Sequence, residues 1–284
     1  MVSNQRNNYK YIFKTITVLI LFFVTFSLSG CNRIEKLKVK FGLKNEDFEY
    51  IKENKVKKII IQNTRDKGFR FIVSDKKVIG ELYDIMSSAK EIQKKSNLEP
   101  DYVFEMDEGN GKTHKFNYIA GLNKKDEGNL YSKNKVYAVS KRIDNDIIKS
   151  FWTIRKPKNF KDVYYSSIIE TLKKQGISKS NKSNIGINIQ DDIDVAKFIL
   201  STDLEEFKSN LKNSFNNIEL IKDVNKKYDK VVDIKTEGYK STRYKALISF
   251  NDKKKNTEKK YYVINEYKNG SWDLKIYDEK PEEF

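Results

Sequence analysis

One apolar run sets the terms for the rest of the chain. Ile16 to Leu28 (ITVLILFFVTFSL) is the only long uninterrupted apolar stretch in 284 residues. A membrane-spanning helix needs about 20 apolar residues, so this run is too short to span and has the length of a signal-peptide core. Arg6, Lys10 and Lys14 precede it, and no acidic residue occurs before Glu35. A segment of this kind is removed rather than folded, so any globular structure must come from the short stripes that follow. Ser29 and Gly30 end the run, small residues that let a peptidase admit an extended backbone, and Cys31 comes next. Cys31 is the only cysteine, which excludes an internal disulfide framework and thiolate-rich metal sites. A single histidine excludes zinc sites built from several imidazoles.

Leu28, Ser29, Gly30 and Cys31 together resemble the lipobox of bacterial lipoproteins. The resemblance implies cleavage between Gly30 and Cys31 and a diacylglycerol thioether on Cys31, with fatty acids such as palmitate as anchor. Two acyl chains hold a protein stably where one is marginal. The expected location is therefore the extracytoplasmic face of the cell membrane, as a lipid-anchored envelope protein. Lysine outnumbers arginine 49 to 7, and this bias points to an AT-rich genome and a Gram-positive source.

The formal net charge is +16. From Cys31 onward there are 53 basic and 40 acidic residues, and residues 55–176 hold 26 and 16 of them against 21 and 19 in residues 177–284. Outside a cell the polyanions are lipid head groups and wall polymers, and nucleic acid is not an expected partner. Lys36, Lys38, Lys40 and Lys44 would lie near an anionic membrane surface.

Four regions are expected: a signal peptide over 1–30, a membrane-proximal tether over 31–54, and α+β domains over 55–176 and 185–284. Each domain is expected to be an antiparallel sheet packed with helices. In the first, KKIIIQNT and FRFIVS predict a strand pair turning at RDKG, since Phe69, Phe71 and Val73 alternate with polar positions. Val78, Ile79, Leu82, Ile85, Met86, Ala89 and Ile92 recur at helical spacing after Ser74 and Asp75, both capping residues. DYVFEMD and THKFNYIA predict a hairpin around EGNGK. A further strand pair is predicted across Leu130–Ser140. Two helices are expected to close this domain, one with Ile147, Ile148, Phe151 and Trp152, the other with Phe160 to Leu172 and ended by Gly176. The second domain combines helices around Val195–Ile199 and Leu204–Phe215 with long strands at Tyr244–Phe250, Tyr262–Ile264 and Trp272–Ile276.

Residues 55–175 also resemble the YhfM-like lipoproteins of Gram-positive bacteria, through NTRDKGFRFIVSDKKVI, SNLEPDYVFE, HKFNYIAGL and SKRIDNDII. This resemblance implies a lipid-anchored extracytoplasmic protein and carries over no active-site residue.

Chemistry-bearing motifs are sparse. GNGKT (Gly109–Thr113) lacks the first glycine of a phosphate loop, where Met106 stands, and is followed by a strand pattern rather than a helix. His114 shares a strand face with Phe116 and Tyr118, as a structural histidine would. Acidic clusters at Glu105, Asp107 and Glu108, at Asp191, Asp192 and Asp194, and at Glu279, Glu282 and Glu283 fit turns, a helix start and a terminal tail. No cofactor, metal site or catalytic residue is expected. Arginine is scarce, so Arg65, Arg70, Arg142 and Arg155, with Lys141, stand out as candidate anion-binding residues. The expected function is non-enzymatic: a basic first domain contacting an anionic lipid, a wall polymer or an envelope protein. The alternatives are a wall-polymer hydrolase using two carboxylates and an assembly factor for a membrane or sporulation complex.

Overall fold

The computed structural model describes residues 44–52, 55–123, 126–149, 155–222 and 226–284. They form an α+β protein of two units, each a sheet packed with helices. The signal peptide, the lipobox, Cys31, most of the expected tether and the expected helical residues Phe151 and Trp152 lie outside the described residues.

The first unit is a seven-stranded antiparallel sheet in the order β2-β1-β4-β5-β6-β7-β3. Its strands are β1 (Lys58–Asn63), β2 (Arg70–Val73), β3 (Lys90–Glu91), β4 (Tyr102–Asp107), β5 (Thr113–Tyr118), β6 (Leu130–Tyr131) and β7 (Val136–Ala138). Alternation decides the faces. Ile59, Ile61, Tyr102, Phe104, Met106 and Tyr118 turn inward and are fully buried, while Ile60, Gln62, Val103 and Glu105 face outward. The covered face carries α1 (Glu49–Lys52), α2 (Lys76–Ser87) and a π-helix (Ile143–Ile148). As predicted, Asp75 caps α2: its Oδ1 accepts from Lys77 N and Val78 N at 2.8 and 3.1 Å. EGNGK is a hairpin turn, with Gly109 and Gly111 at φ of +81° and +83°.

One boundary differs from expectation at this end. Phe48 and Ile51, placed by sequence in a tether, are core residues with 0% and 3% exposure. Asn45 fixes the entry, donating through its backbone N to Ser87 O at 2.8 Å and through Nδ2 to Ala89 O at 2.6 Å. Charged neighbours hide this docking in the sequence, because only Phe48 and Ile51 are deeply buried among the described residues of the segment.

The second unit has a six-stranded sheet in the order β13-β12-β11-β10-β8-β9. The strands are β8 (Ile185–Asn188), β9 (Ile218–Leu220), β10 (Lys230–Lys240), β11 (Arg243–Asp252), β12 (Thr257–Lys268) and β13 (Ser271–Tyr277). The last four are antiparallel, but β8 runs parallel to both β9 and β10. The helix α4 (Ser201–Ser214) crosses over between β8 and β9, so the sheet is mixed rather than purely antiparallel.

The largest departure concerns α3 (Phe160–Lys174), expected to close the first unit. Phe160, Val163, Tyr164, Ile168 and Leu172 instead bury themselves in the core of the second sheet, with Ile187, Val232, Tyr244 and Val263. Polar bonds fix the same choice. Asn265 Nδ2 of β12 donates to Ser167 Oγ at 3.0 Å, and Lys174 Nζ donates to Ile276 O of β13 at 2.6 Å. Just before α3, Trp272 Nε1 donates to Lys158 O at 2.8 Å. The helix ends as predicted, with Gly176 at φ +81°. The change of unit therefore falls before Phe160 and not at 176–184. Residues there are tied back to the second unit, Ile177 buried in its core and Asn181 Nδ2 donating to Asn216 O at 3.1 Å.

A buried polar network pins the second sheet. Asp192 accepts from Thr236 N, Thr236 Oγ1 and Tyr164 OH at 2.9, 2.8 and 3.1 Å, holding the bulge between Thr236 and Gly238. Burial raises the Asp192 carboxyl above the ordinary aspartate range, and these donors pull it partly back. Among the described residues no helix is long and apolar enough to cross a membrane.

Candidate functional site

Arg65 sits where the two units meet. The β1–β2 loop is shaped by Asn63, whose Oδ1 accepts from Arg65 N and Asp66 N at 2.9 and 2.8 Å. This turn aims the guanidinium across the junction. Its Nη1 donates to Asp101 Oδ1 at 2.6 Å and to Ile199 O at 3.1 Å, and Nη2 donates to Ser201 Oγ at 2.6 Å. Ser201 N donates to Asp101 Oδ1 at 2.8 Å, so a carboxylate of the first unit satisfies a backbone donor at the start of α4 in the second. Ala120 N donates to Asp101 Oδ2 at 2.9 Å, and Ser201 Oγ donates to Glu99 O at 2.6 Å. The Asp101 side chain has no exposure. Burial pushes its carboxyl up, while Arg65 and the N–H groups of Ser201 and Ala120 pull it down. Asn63 Nδ2 to Lys197 O at 3.4 Å and the Lys197–Asp66 pair at 3.8 Å extend the seam.

Beside this seam is a cleft of about 400 Å³. The first unit contributes Arg65 and Asn97–Glu99; the second contributes Ile189 and Gln190 after β8, a face of α4 including Leu204 and Lys208, and Leu220–Lys222 at the end of β9. Its floor is aliphatic, and its rim carries amide and charged side chains. It lies at the carboxyl ends of two parallel strands joined by a helix, where open α/β sheets place ligands. The volume is within the range of small-molecule sites. The sequence did not mark this cleft, because its lining comes from five separated segments.

The other basic candidates are not gathered there. Arg70 is exposed on β2, opposite Gln62. Lys141 is exposed before the π-helix, and Arg142 Nε donates to Asp146 Oδ2 at 2.8 Å on the same helix. Arg155 is exposed ahead of α3. The boundary also redistributes charge. Residues 55–149 hold 20 basic and 14 acidic residues, and residues 150–284 hold 27 and 21, so each side carries +6. The basic excess that sequence assigned to the first domain belongs equally to both, because α3 and its approach bring six cations with them.

His114 has a structural setting. Its ring stacks on Tyr50 of α1 at 3.9 Å, and Nε2 lies 2.7 Å from Glu108 Oε1. His114, then Lys112, hold the Glu108 carboxyl below the ordinary glutamate range. Glu105 accepts from Lys115 across the hairpin at 2.6 Å, and Asp107 accepts from Gly109 N at 2.7 Å. Asp191 accepts from Asn188 at 2.6 Å. In the C-terminal tail Glu279 and Glu282 are exposed, and Glu283 accepts from Tyr277 OH at 3.2 Å. Asp144 accepts from Tyr118 OH and Gly121 N at 2.9 and 3.0 Å.

Neither a curated protein nor a solved structure matches the chain. The family model described as YhfM protein matches residues 52–157, a span that opens at the end of α1 and closes just before α3, so the first unit is a YhfM-like region.

Proposed function

We propose that the chain is a lipid-anchored, non-enzymatic binding protein of the extracytoplasmic membrane face, held by diacylglycerol on Cys31, with the cleft between its units as the ligand seat. The observation that carries this reading is the cleft itself: an aliphatic floor built jointly by two units, beside a seam that fixes their relative position. Preorganised concave sites of this kind bind with less ordering cost than flexible ones. The lipobox resemblance and the YhfM-like region support the envelope location. Attraction to the anionic membrane is diffuse in this reading, since charge is shared evenly and Arg65 is engaged by Asp101. Binding is favoured over hydrolysis because the buried carboxylates Asp101 and Asp192 and the half-buried Asp144 are occupied by structural donors, and Glu205, one of two carboxylates lining the cleft, faces Lys208 at 3.2 Å.

An environment-sensitive apolar dye tests the reading. It should bind the wild type at one saturable site, and Leu204→Trp, which fills the cleft, should abolish that site. Unchanged dye binding in a folded Leu204→Trp variant would remove the cleft as the ligand seat.

A further inference from the structure

The class of ligand follows from which charges around the cleft are already neutralised; the inference rests on the cleft being the ligand seat. Arg65 is spent on Asp101 at 2.6 Å, and Lys208 on Glu205 at 3.2 Å. Glu99 on the first unit and Lys222 on the second remain. Both are exposed, and among the described residues neither forms an ion pair. The cleft thus offers one uncompensated anion and one uncompensated cation, each from a different unit. Leu98, Ile199, Leu204, Leu220 and Ile221 line the same cleft and supply aliphatic surface.

We propose that the cleft binds short aliphatic peptides with free termini. The peptide ammonium pairs with Glu99, its carboxylate with Lys222, and its side chains cover the aliphatic floor. A ligand with a single charge would pair with only one of these two groups and forgo the second contact. A dipolar ligand satisfies both. Asn97 and Gln190 on the rim carry amide groups able to donate to and accept from a peptide bond, and Gln190 Nε2 already donates to the backbone of Ile221 at 3.1 Å. A volume of about 400 Å³ limits the occupant to a few residues.

Full-length protein in nanodiscs, with the apolar dye seated in the cleft, allows a competition experiment using three probes: trileucine, N-acetyl-trileucine amide, and decanoate. Trileucine should displace the dye at one equivalent. Capping both termini should weaken competition at least about tenfold, equivalent to about 1.4 kcal/mol. Glu99→Gln and Lys222→Gln, both surface changes that leave the fold intact, should each weaken trileucine by a similar factor and leave the capped peptide unaffected. Equal competition by free and capped peptides overturns the proposal, as does indifference of trileucine to both substitutions. If decanoate displaces the dye and trileucine does not, the ligand class is wrong while the cleft stands. If the dye itself binds Leu204→Trp as it binds the wild type, the ligand seat fails and the peptide assignment falls with it.

Discussion

A carboxylate that is entirely buried and bonded to both units makes Asp101 a sensitive position. Asp101→Ala leaves the Arg65 guanidinium without its charge partner and Ser201 N without an acceptor. Loss of one member of a buried pair costs about 3–5 kcal/mol, and urea denaturation should show a loss of that size. Arg142→Ala breaks an exposed pair one helical turn long and should cost less than about 0.5 kcal/mol in the same assay. Glu108 gives a pH-dependent counterpart. Its folded carboxyl lies below its unfolded range, so its contribution is present above that range and lost as pH falls through it. Wild-type melting temperature should therefore drop more steeply with acidification below about pH 5 than that of Glu108→Gln; parallel curves would refute the assignment. Sequence singled out Arg65 as a scarce arginine in a structured turn, and that much was legible. Its partner was not, because Asp101 stands alone between Pro100 and Tyr102, and alternation cannot identify a neighbour 36 residues away.

Among the elements, α3 teaches most about the limits of pattern reading. Its apolar spacing, its length and its stop at Gly176 were all legible, since each depends on local backbone chemistry. The sheet it covers was not, because an amphipathic face carries no address. A fragment of residues 155–284 should accordingly fold cooperatively, and one of residues 177–284 should not, as circular dichroism melts would report. Folding of the shorter fragment would mean that α3 is dispensable to the second core. The strand β10 escaped sequence reading for a different reason. Val232, Ile234 and Thr236 alternate inward, but charged residues fill the outward positions and Gly238 breaks the period at the bulge. The short parallel strand β8 likewise offers four residues with no polar alternation, as buried parallel strands do.

At the scale of the whole molecule, the seam through Arg65, Asp101 and Ser201 should make the two units melt together. Calorimetry should record one transition, and two well-separated ones would show that the seam couples them weakly. Trypsin should not cut first at 179–182, where Asn181 is bonded to Ser183 O and Asn216 O, and Asn216 to Lys179 O. An early pair of resistant fragments split there would contradict this. The anchor has its own test, independent of the fold: a clickable fatty acid fed to cells should label the wild type and miss Cys31→Ala. Labelling of both, or of neither, would remove Cys31 as the anchor. If Cys31 does carry the lipid, the burial of Phe48 and Ile51 has a mechanical consequence. Only thirteen chain steps separate Cys31 from Lys44, a leash of about 45 Å when pulled straight. A body of this size is about as wide as that leash is long. The protein would then patrol a shell one molecule thick above the bilayer, and whatever it captures must come to the membrane to be met.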